Sequence, residues 1–293
     1  MNINSVSATE LMLHTDGSIY HLHLHPEDLA DTVILVGDPD RVAVVSQFFD
    51  SIEVKKRNRE FVTHTGLYNG HRISVIATGI GSGSIDIVIN ELDALANIDF
   101  TTRQVKSDIK KLTIVRFGTC GGMQDDIAVG SIISSSVALG TDGVLNDYVY
   151  HNTDVEQQLL ASVKSILPGN LGGDGMYVSS ASKHLIDSFS SMARAGYTLT
   201  CPGFYAAQQR VLRAELKVND WLTDLSKVQI NNMSFVNLEM ETALLYGLAN
   251  VFGHDCCSLS LVVGNRITQE VLPDYKNAML RFIEMSLKML PIS

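Results

Sequence analysis

The chain is predicted to fold as α/β, a three-layer α/β/α domain, on three observations. Short, continuous apolar runs alternate with longer segments whose apolar residues recur at helical spacing. Several of the runs end in a glycine or a glycine-rich turn, where the strand of an α/β unit gives way to its helix. No proline- or serine-rich linker divides the 293 residues, so 1–293 is assigned to a single domain. Strands separated by helix-length patterns imply parallel pairing, with helices covering the sheet.

Thr32–Val36 (TVILV) reads as a buried strand ended by Gly37, and Arg41–Phe49 as the helix after it. Arg72–Ala77 is the second strand. The glycine-rich Gly79–Gly83 follows, then a helix with Ile85, Val88, Ile89, Leu92 and Leu95 on one face. Leu112–Phe117 is the third strand, ending at Gly118, and Ser131–Leu139 the fourth. Asn97–Lys111 is polar and charged where a direct turn would suffice, and is read as a surface insertion (about 97–111). In the second half, Val155–Leu167 reads as helix, Met176–Ser180 as extended and His184–Ala193 as helix. Ser234–Leu238 leads into Glu239, Glu241–Ala249 is helical, Ser258–Val263 is β-rich, and Tyr275–Met289 is a closing helix.

Composition excludes several classes of function. With 22 basic and 32 acidic residues the net charge is −10, against the basic surface that nucleic acid requires. Charged residues make up 18% of the chain, below the roughly 25% usual in soluble domains, which suits a large core and surface buried between subunits. No apolar run reaches the ~18 residues of a membrane span, and the N-terminus lacks the basic-then-apolar pattern of a secretory signal. Cys120, Cys201, Cys256 and Cys257 have neither zinc-site spacing nor the layout of a disulfide framework. Reduced thiols in a cytoplasmic protein are expected.

Ligands of open α/β sheets bind at the carboxyl ends of the strands, and five segments place unusual residues there. Gly37-Asp38-Pro39-Asp40-Arg41 sets an arginine at a helix start, where the dipole already favours an anion; a plain turn with Arg41 solvated is the alternative. Arg116-Phe117-Gly118-Thr119-Cys120-Gly121-Gly122 holds an arginine in an apolar strand end, followed by small residues able to form a backbone nest, with the Thr119 hydroxyl as a further donor. An internal ion pair to a carboxylate would explain Arg116 equally. Thr78–Ser84 contains a GxGxG, but the acidic residue that a dinucleotide fingerprint needs at the end of the next strand is replaced by Arg116. Gly203–Arg210 combines Phe204 and Tyr205 with Gln208 and Arg210, a flat wall plus planar hydrogen-bonding groups suited to a heterocycle, or else an ordinary amphipathic helix start. Asn237–Glu241 ends a strand in two carboxylates. Glu241 suits a vicinal diol, Glu239 and Glu241 together suit an acid/base pair, and a solvated helix N-terminus suits neither. A sixth segment, His21-Leu22-His23-Leu24-His25, places three imidazoles on one face if it is a strand, as a metal-dependent hydrolase would need.

Taken together, VGDPDRV, REF (Arg59–Phe61), TGIGSGS, RFGTCGG, FYAAQQR, NLEMET and GNR (Gly264–Arg266) resemble, in order and spacing, the nucleoside phosphorylase-I family, and within it the uridine phosphorylases. The resemblance runs from Tyr20-His21-Leu22 to the last helix. It implies a mixed central sheet of nucleoside phosphorylase type, and phosphate held by Gly37, Arg41, Arg116 and Thr119, with Arg59 reaching in from a neighbouring subunit. It implies ribose contacts from Met240 and Glu241, and from His21 of the neighbour to the 5′-hydroxyl. The base would meet Phe204, Gln208, Arg210 and Arg266, which makes Arg116, Gln208, Arg210 and Glu241 the catalytic set. No catalytic metal or cofactor is implied. Inorganic phosphate is a co-substrate, and a structural K+ at the dimer interface of some members matches Glu60, Ile80 and Ser84. The expected partners are a small-molecule nucleoside and phosphate, with no nucleic acid and no membrane. The expected assembly is a homodimer at least, or a hexamer built as a trimer of dimers.

The implied activity is that of a pentosyltransferase: phosphorolysis of a pyrimidine nucleoside, uridine and phosphate giving uracil and ribose 1-phosphate. Preorganised donors aimed at charge that appears only in the transition state are worth about 3–4 kcal/mol apiece. Within the family, a purine phosphorylase would need an aspartate near Asn265-Arg266, and a nucleosidase would not need Arg41, Arg59 and Arg116. From other classes, the His21/His23/His25 metal hydrolase and a non-catalytic nucleoside-binding protein remain. The 97–111 insertion, Ala206-Ala207 and Cys120, at a position usually Thr or Ser, depart from the bacterial uridine phosphorylase pattern. Packing is the simple role for Cys120.

Overall fold

The run Thr32–Val36 forms β1, buried from Val33 onward, as β-branched residues do on a sheet covered from both sides. In the computed structural model, which describes residues 5–167, 173–218 and 220–291, β1 lies between two parallel neighbours. Helix α1 (Pro39–Ser46) follows. The Asp38 side chain caps it by accepting the Asp40 N–H at 2.9 Å, and Pro39 starts it two residues before the expected Arg41.

Two strands that the sequence reading did not anticipate come next, β2 (Ser51–Asn58) and β3 (Phe61–Tyr68); β3 is antiparallel both to β2 and to β4 (His71–Ala77). β2 is the edge of the sheet and carries Lys55, Lys56 and Arg57, charges that guard an open edge but erase the apolar pattern of a strand. Helix α2 (Ser82–Asn97) buries the five apolar residues expected of it. The insertion after it holds two short strands, β5 (Ile98–Asp99) and β6 (Gln104–Val105). From their turn, Arg103 donates to the carbonyls of Val6 at 2.9 Å and Ser7 at 2.8 Å, and to that of Leu11, so the insertion ties down the N-terminal segment.

β7 (Thr113–Gly122) runs through the glycines that were expected to end it at Gly118. The chain continues through β8 (Ile132–Gly140), α3 (Asp154–Lys164) with its Thr153–Glu156 capping box, β9 (Tyr177–Ser180) and α4 (Lys183–Ser188). α4 stops short of the expected Ala193, and Arg194–Thr200 forms an unanticipated strand, β10. Then come α5 (Trp221–Ser226), β11 (Gln229–Ile230), β12 (Met233–Glu239), α6 (Thr242–Phe252), β13 (Asp255–Asn265) and α7 (Tyr275–Lys288).

The main sheet runs β2-β3-β4-β1-β7-β13-β8-β10-β12-β11, with β9 on β8. β12 also returns to β7, pairing Asn237 with Gly122 and Leu238 with Gly121, and so closes a ring of β7, β13, β8, β10 and β12. The sheet is mixed. β1 with its neighbours, β13–β7, β10–β8 and β10–β12 are parallel, as the alternation predicted, whereas the hairpins, β13–β8 and β12–β7 are antiparallel. One apolar cluster joins α2 and α6 to the sheet and a second joins α1 and α7, which gives the three layers.

Candidate active site

The carboxyl ends of β1, β4, β7 and β12 converge. The Thr78 N–H after β4 bonds the Val36 carbonyl of β1 at 2.8 Å, and a Cβ on Gly37 would lie 3.4 Å from the Gly79 carbonyl oxygen. Two residues on, the Gly81 N–H donates to Glu241 Oε1 at 2.8 Å, which carries the cluster across to the end of β12.

Arg116 is the centre of this cluster. Its side chain is 5% exposed and bends back over Gly118, where a Cβ would fall 1.8 Å from Nη1; only glycine permits that path. Nη2 donates to Glu241 Oε2, while Nη1 lies 3.6 Å from Glu239 Oε2. Both of the readings weighed for Arg116 therefore meet here, since the internal ion pair exists and yet Nε and Nη1 have no hydrogen-bond partner among the described residues. Buried donors are rarely left so, and an anion is the ligand they suit. Burial pulls the guanidinium pKa down, but Glu241 and Glu239 outweigh it and hold Arg116 above its ordinary value, fully charged. For Glu241, burial wins. It pushes the carboxyl up, aided by the Glu239 charge, against the pull of Arg116 and the Gly81 N–H.

Both carboxylate oxygens of Glu239 are engaged within the protein. Its Oε1 accepts from Thr200 Oγ1 at 2.6 Å, and its Oε2 accepts the N–H groups of Glu241 at 2.9 Å and Thr242 at 3.0 Å. It caps α6 and supplies a fixed charge beside Arg116, which replaces the acid/base pair weighed from the sequence.

Arg41 is 8% exposed and lies against the same strand. Nη1 donates to the Phe117 carbonyl at 3.1 Å and Nη2 to the Tyr275 hydroxyl at 2.9 Å. It is not the solvated turn arginine of the simpler alternative. Thr119 is half-buried further along β7. Residues 118–122 are extended as part of β7 and not coiled into a backbone nest, and β1 pairs with β7 only as far as Arg116. Cys120 is buried, and burial pushes its thiol up to about 12, which leaves it unreactive at neutral pH.

Arg59 lies exposed on the β2–β3 turn. Its guanidinium stands 5.6 Å over the Tyr20 ring and donates to the Tyr20 hydroxyl at 3.5 Å, so within one chain its contacts do not reach Arg41 or Arg116. Residues 21–25 form a turn and not a strand, which overturns the shared face expected for His21, His23 and His25. His21 Nδ1 bonds Glu91 at 2.7 Å, whereas His23, at a positive φ of 56°, turns to Asp16 at 3.4 Å. Among the described residues, no three His, Cys, Asp or Glu side chains gather as a metal would require. On the other side of the turn, a Cβ on Gly79 would lie 3.4 Å from Glu60 and 3.3 Å from Ser84, and Ser84 Oγ reaches the Ile80 carbonyl at 3.5 Å. Glu60, Ile80 and Ser84 are therefore neighbours, with oxygen donors of the kind a hard cation takes.

Phe204, Gln208, Arg210 and Arg266 also come together, on irregular chain with a single 3-10 turn and not on the alternative amphipathic helix. Arg210 lies 3.9 Å over the Phe204 ring, donates to the Phe204 carbonyl at 3.0 Å and bonds Gln208 Oε1. Gln208 is 2% exposed. Arg266 donates to the Gln209 carbonyl at 3.1 Å, and its backbone N–H bonds the Gly122 carbonyl at 2.8 Å, joining this group to the end of β7. Burial, then the charge of Arg266, lower Arg210 to about 10. Asn265 spends its side chain on structure: Nδ2 donates to the Gln124 and Ile127 carbonyls, each at 2.7 Å, and Oδ1 accepts two backbone N–H groups. Met240 lies half-buried between the two glutamates. Sequence reasoning missed Tyr275 and Glu91, polar residues on helices with no local motif to mark them.

Comparison with known proteins agrees with this geometry. The chain is 30% identical over 261 residues to a uridine phosphorylase of Thermococcus kodakarensis, covering 87% of this chain and 80% of that protein. It is 28% identical over 282 residues to a DeoD-type purine nucleoside phosphorylase of Alkaliphilus metalliredigens, covering 92% and 98%. Among solved structures, a Trypanosoma brucei nucleoside phosphorylase described as having uridine phosphorylase activity superposes with a TM-score of 0.88 at 27% identity, covering 96% of this chain and 99% of that one. The family model described as the phosphorylase superfamily matches residues 31–290, and the chain belongs to that superfamily.

Proposed function

We propose that the protein cleaves a pyrimidine nucleoside by phosphorolysis, converting uridine and phosphate to uracil and ribose 1-phosphate in nucleoside salvage. The observation that carries this reading is the buried Arg116, with two of its nitrogens, Nε and Nη1, unpartnered among the described residues beside a carboxylate suited to a diol. Gly37, Arg41, Arg116 and Thr119 take the phosphate, with Arg59 of a neighbouring subunit. Met240 and Glu241 take the ribose, with His21 of the neighbour at its 5′-hydroxyl, and Phe204, Gln208, Arg210 and Arg266 take the base.

Breaking the glycosidic bond leaves positive charge on the ribose and negative charge on uracil. In the free enzyme Arg210 and Arg266 repel one another. An anionic base relieves that repulsion as it forms, so this pair stabilises the transition state more than the bound substrate. Phosphate held beside C1′ offsets the charge on the sugar and then attacks it, and no side-chain nucleophile is needed. Against a purine substrate stands Asn265, whose side chain is wholly engaged and holds no transferable proton.

With Arg59 and His21 lent to a neighbour, a dimer is the smallest active unit, and a trimer of dimers is compatible with it. Gel filtration with activity measured across the profile checks this, and an active monomer would refute it. Glu60, Ile80 and Ser84 would hold a monovalent cation where two subunits meet. The four cysteines are buried and unpaired, which supports a cytoplasmic setting, and no described helix is long and apolar enough to cross a membrane. The deciding experiment is uracil release from uridine with and without phosphate, with inosine in parallel. Phosphate-dependent uracil release is expected. Release without phosphate would mean a nucleosidase, and turnover of inosine alone would put the purine reading first.

A further inference from the structure

We propose that Glu91 is a positioning residue that fixes the His21 imidazole as an acceptor for the 5′-hydroxyl, and so makes the enzyme select nucleosides that carry it. The inference rests on the role given to His21 under the proposed function.

Glu91, on α2, gathers three N–H groups of one turn. Its Oε1 accepts His21 Nδ1 at 2.7 Å and the His21 backbone N–H at 3.0 Å, and its Oε2 accepts the Leu22 N–H at 2.8 Å. Backbone amides only donate, so the carboxylate is the acceptor throughout, and the ring nitrogen facing it must carry its hydrogen. In a neutral imidazole that leaves Nε2 bare, and a carboxylate behind the ring strengthens the far nitrogen as an acceptor. Asn58, at the end of β2, holds the opposite side of the same turn, donating to the carbonyls of Tyr20 at 3.1 Å and His21 at 2.9 Å. The turn's amides are thus held by one element and its carbonyls by another. The Glu91 side chain is 12% exposed and that of His21 26%, so the carboxylate is largely shut from water while the ring keeps an open edge. Tyr20 links the ring to Arg59, lying edge-on to His21 at 4.9 Å and under the Arg59 guanidinium. The two side chains assigned to the neighbour's site therefore stand on one surface.

The test compares kcat/KM for uridine and 5′-deoxyuridine in the full-length enzyme. The wild type is expected to favour uridine by about tenfold, the worth of one good hydrogen bond. His21→Ala should bring the ratio close to one. Glu91→Gln should do nearly the same, with the loss falling on uridine rather than on 5′-deoxyuridine. Asn58→Ala, which loosens the turn without touching the ring proton, should keep most of the preference. A wild-type ratio in Glu91→Gln alongside a collapsed one in His21→Ala would overturn the role of Glu91 and leave that of His21 standing. An unchanged ratio in His21→Ala would overturn both. Equal loss in Asn58→Ala and Glu91→Gln would reduce Glu91 to holding the turn. Independently of activity, and should Glu91→Gln fail to fold, 15N NMR of the wild-type protein reads the ring tautomer, with the His21 signal identified by its loss in His21→Ala. A proton on Nδ1 is expected, and an imidazole with Nδ1 bare would overturn the proposal.

Discussion

Arg116 is the shared counter-charge of two buried carboxylates, and its substitution is costly on two counts. Arg116→Ala should abolish phosphorolysis. It should also lower the melting temperature, because Glu239 and Glu241 are left facing each other without a counter-charge, a change worth about 3–5 kcal/mol in buried pairs. Near-normal activity would remove the phosphate assignment. Glu241 titrates above its ordinary value of 4.5, so it takes up its proton at a higher pH than an exposed glutamate does. Its ionised form is the one that accepts a diol, and nucleoside affinity measured without phosphate should fall on acidification before ordinary carboxylates titrate. Glu241→Gln should remove that pH dependence. Stability has the opposite sign. Between the ordinary and the raised value the native state holds more protons than the unfolded chain, so this group's contribution to stability declines as pH rises through the window. At this scale the sequence was readable wherever a residue type was out of place, as with Arg116 in an apolar strand. It was mute on Glu91 and Tyr275, because an acidic or aromatic residue on a helix surface is unremarkable until its distant partner is known.

Among the elements, those with a clean pattern were legible. β1 is continuous and apolar, α2 keeps a helical stripe, and α6 follows a strand ending in carboxylates. β2 was not, because an edge strand of Lys55-Lys56-Arg57 has the composition of a loop. The turn that follows β3 did carry a signal, since Asn69-Gly70, both at positive φ, is a favoured hairpin pair. β10 went unread although the helix expected before it ended at Ala193, one residue short of its start, and β7 was cut short because glycines usually end strands. The closing helix α7 was legible, and its anchor is Phe282, 1% exposed and edge-on to Phe117 with centroids 5.7 Å apart. Phe282→Ala should cost about 3–5 kcal/mol in denaturant unfolding, as large-to-small changes at such sites do. A loss well under 1 kcal/mol would mean that α7 packs loosely on the sheet.

Across the whole molecule, parallel pairing inferred from alternation holds on both sides of β1 and fails where β12 returns to β7, a long-range contact that no local pattern encodes. That return has a consequence for how the protein comes apart. Each strand of the closed ring is laced to a neighbour along both edges, so none can peel away alone, and its amides should exchange with deuterium only when the entire chain opens. Amides of β2, with one edge free, should exchange orders of magnitude sooner. Because Arg116 and Glu239 sit on ring strands, the floor of the proposed phosphate site would then survive every partial excursion of the margin. Damage to the hairpin could heal without the catalytic scaffold ever having been dismantled.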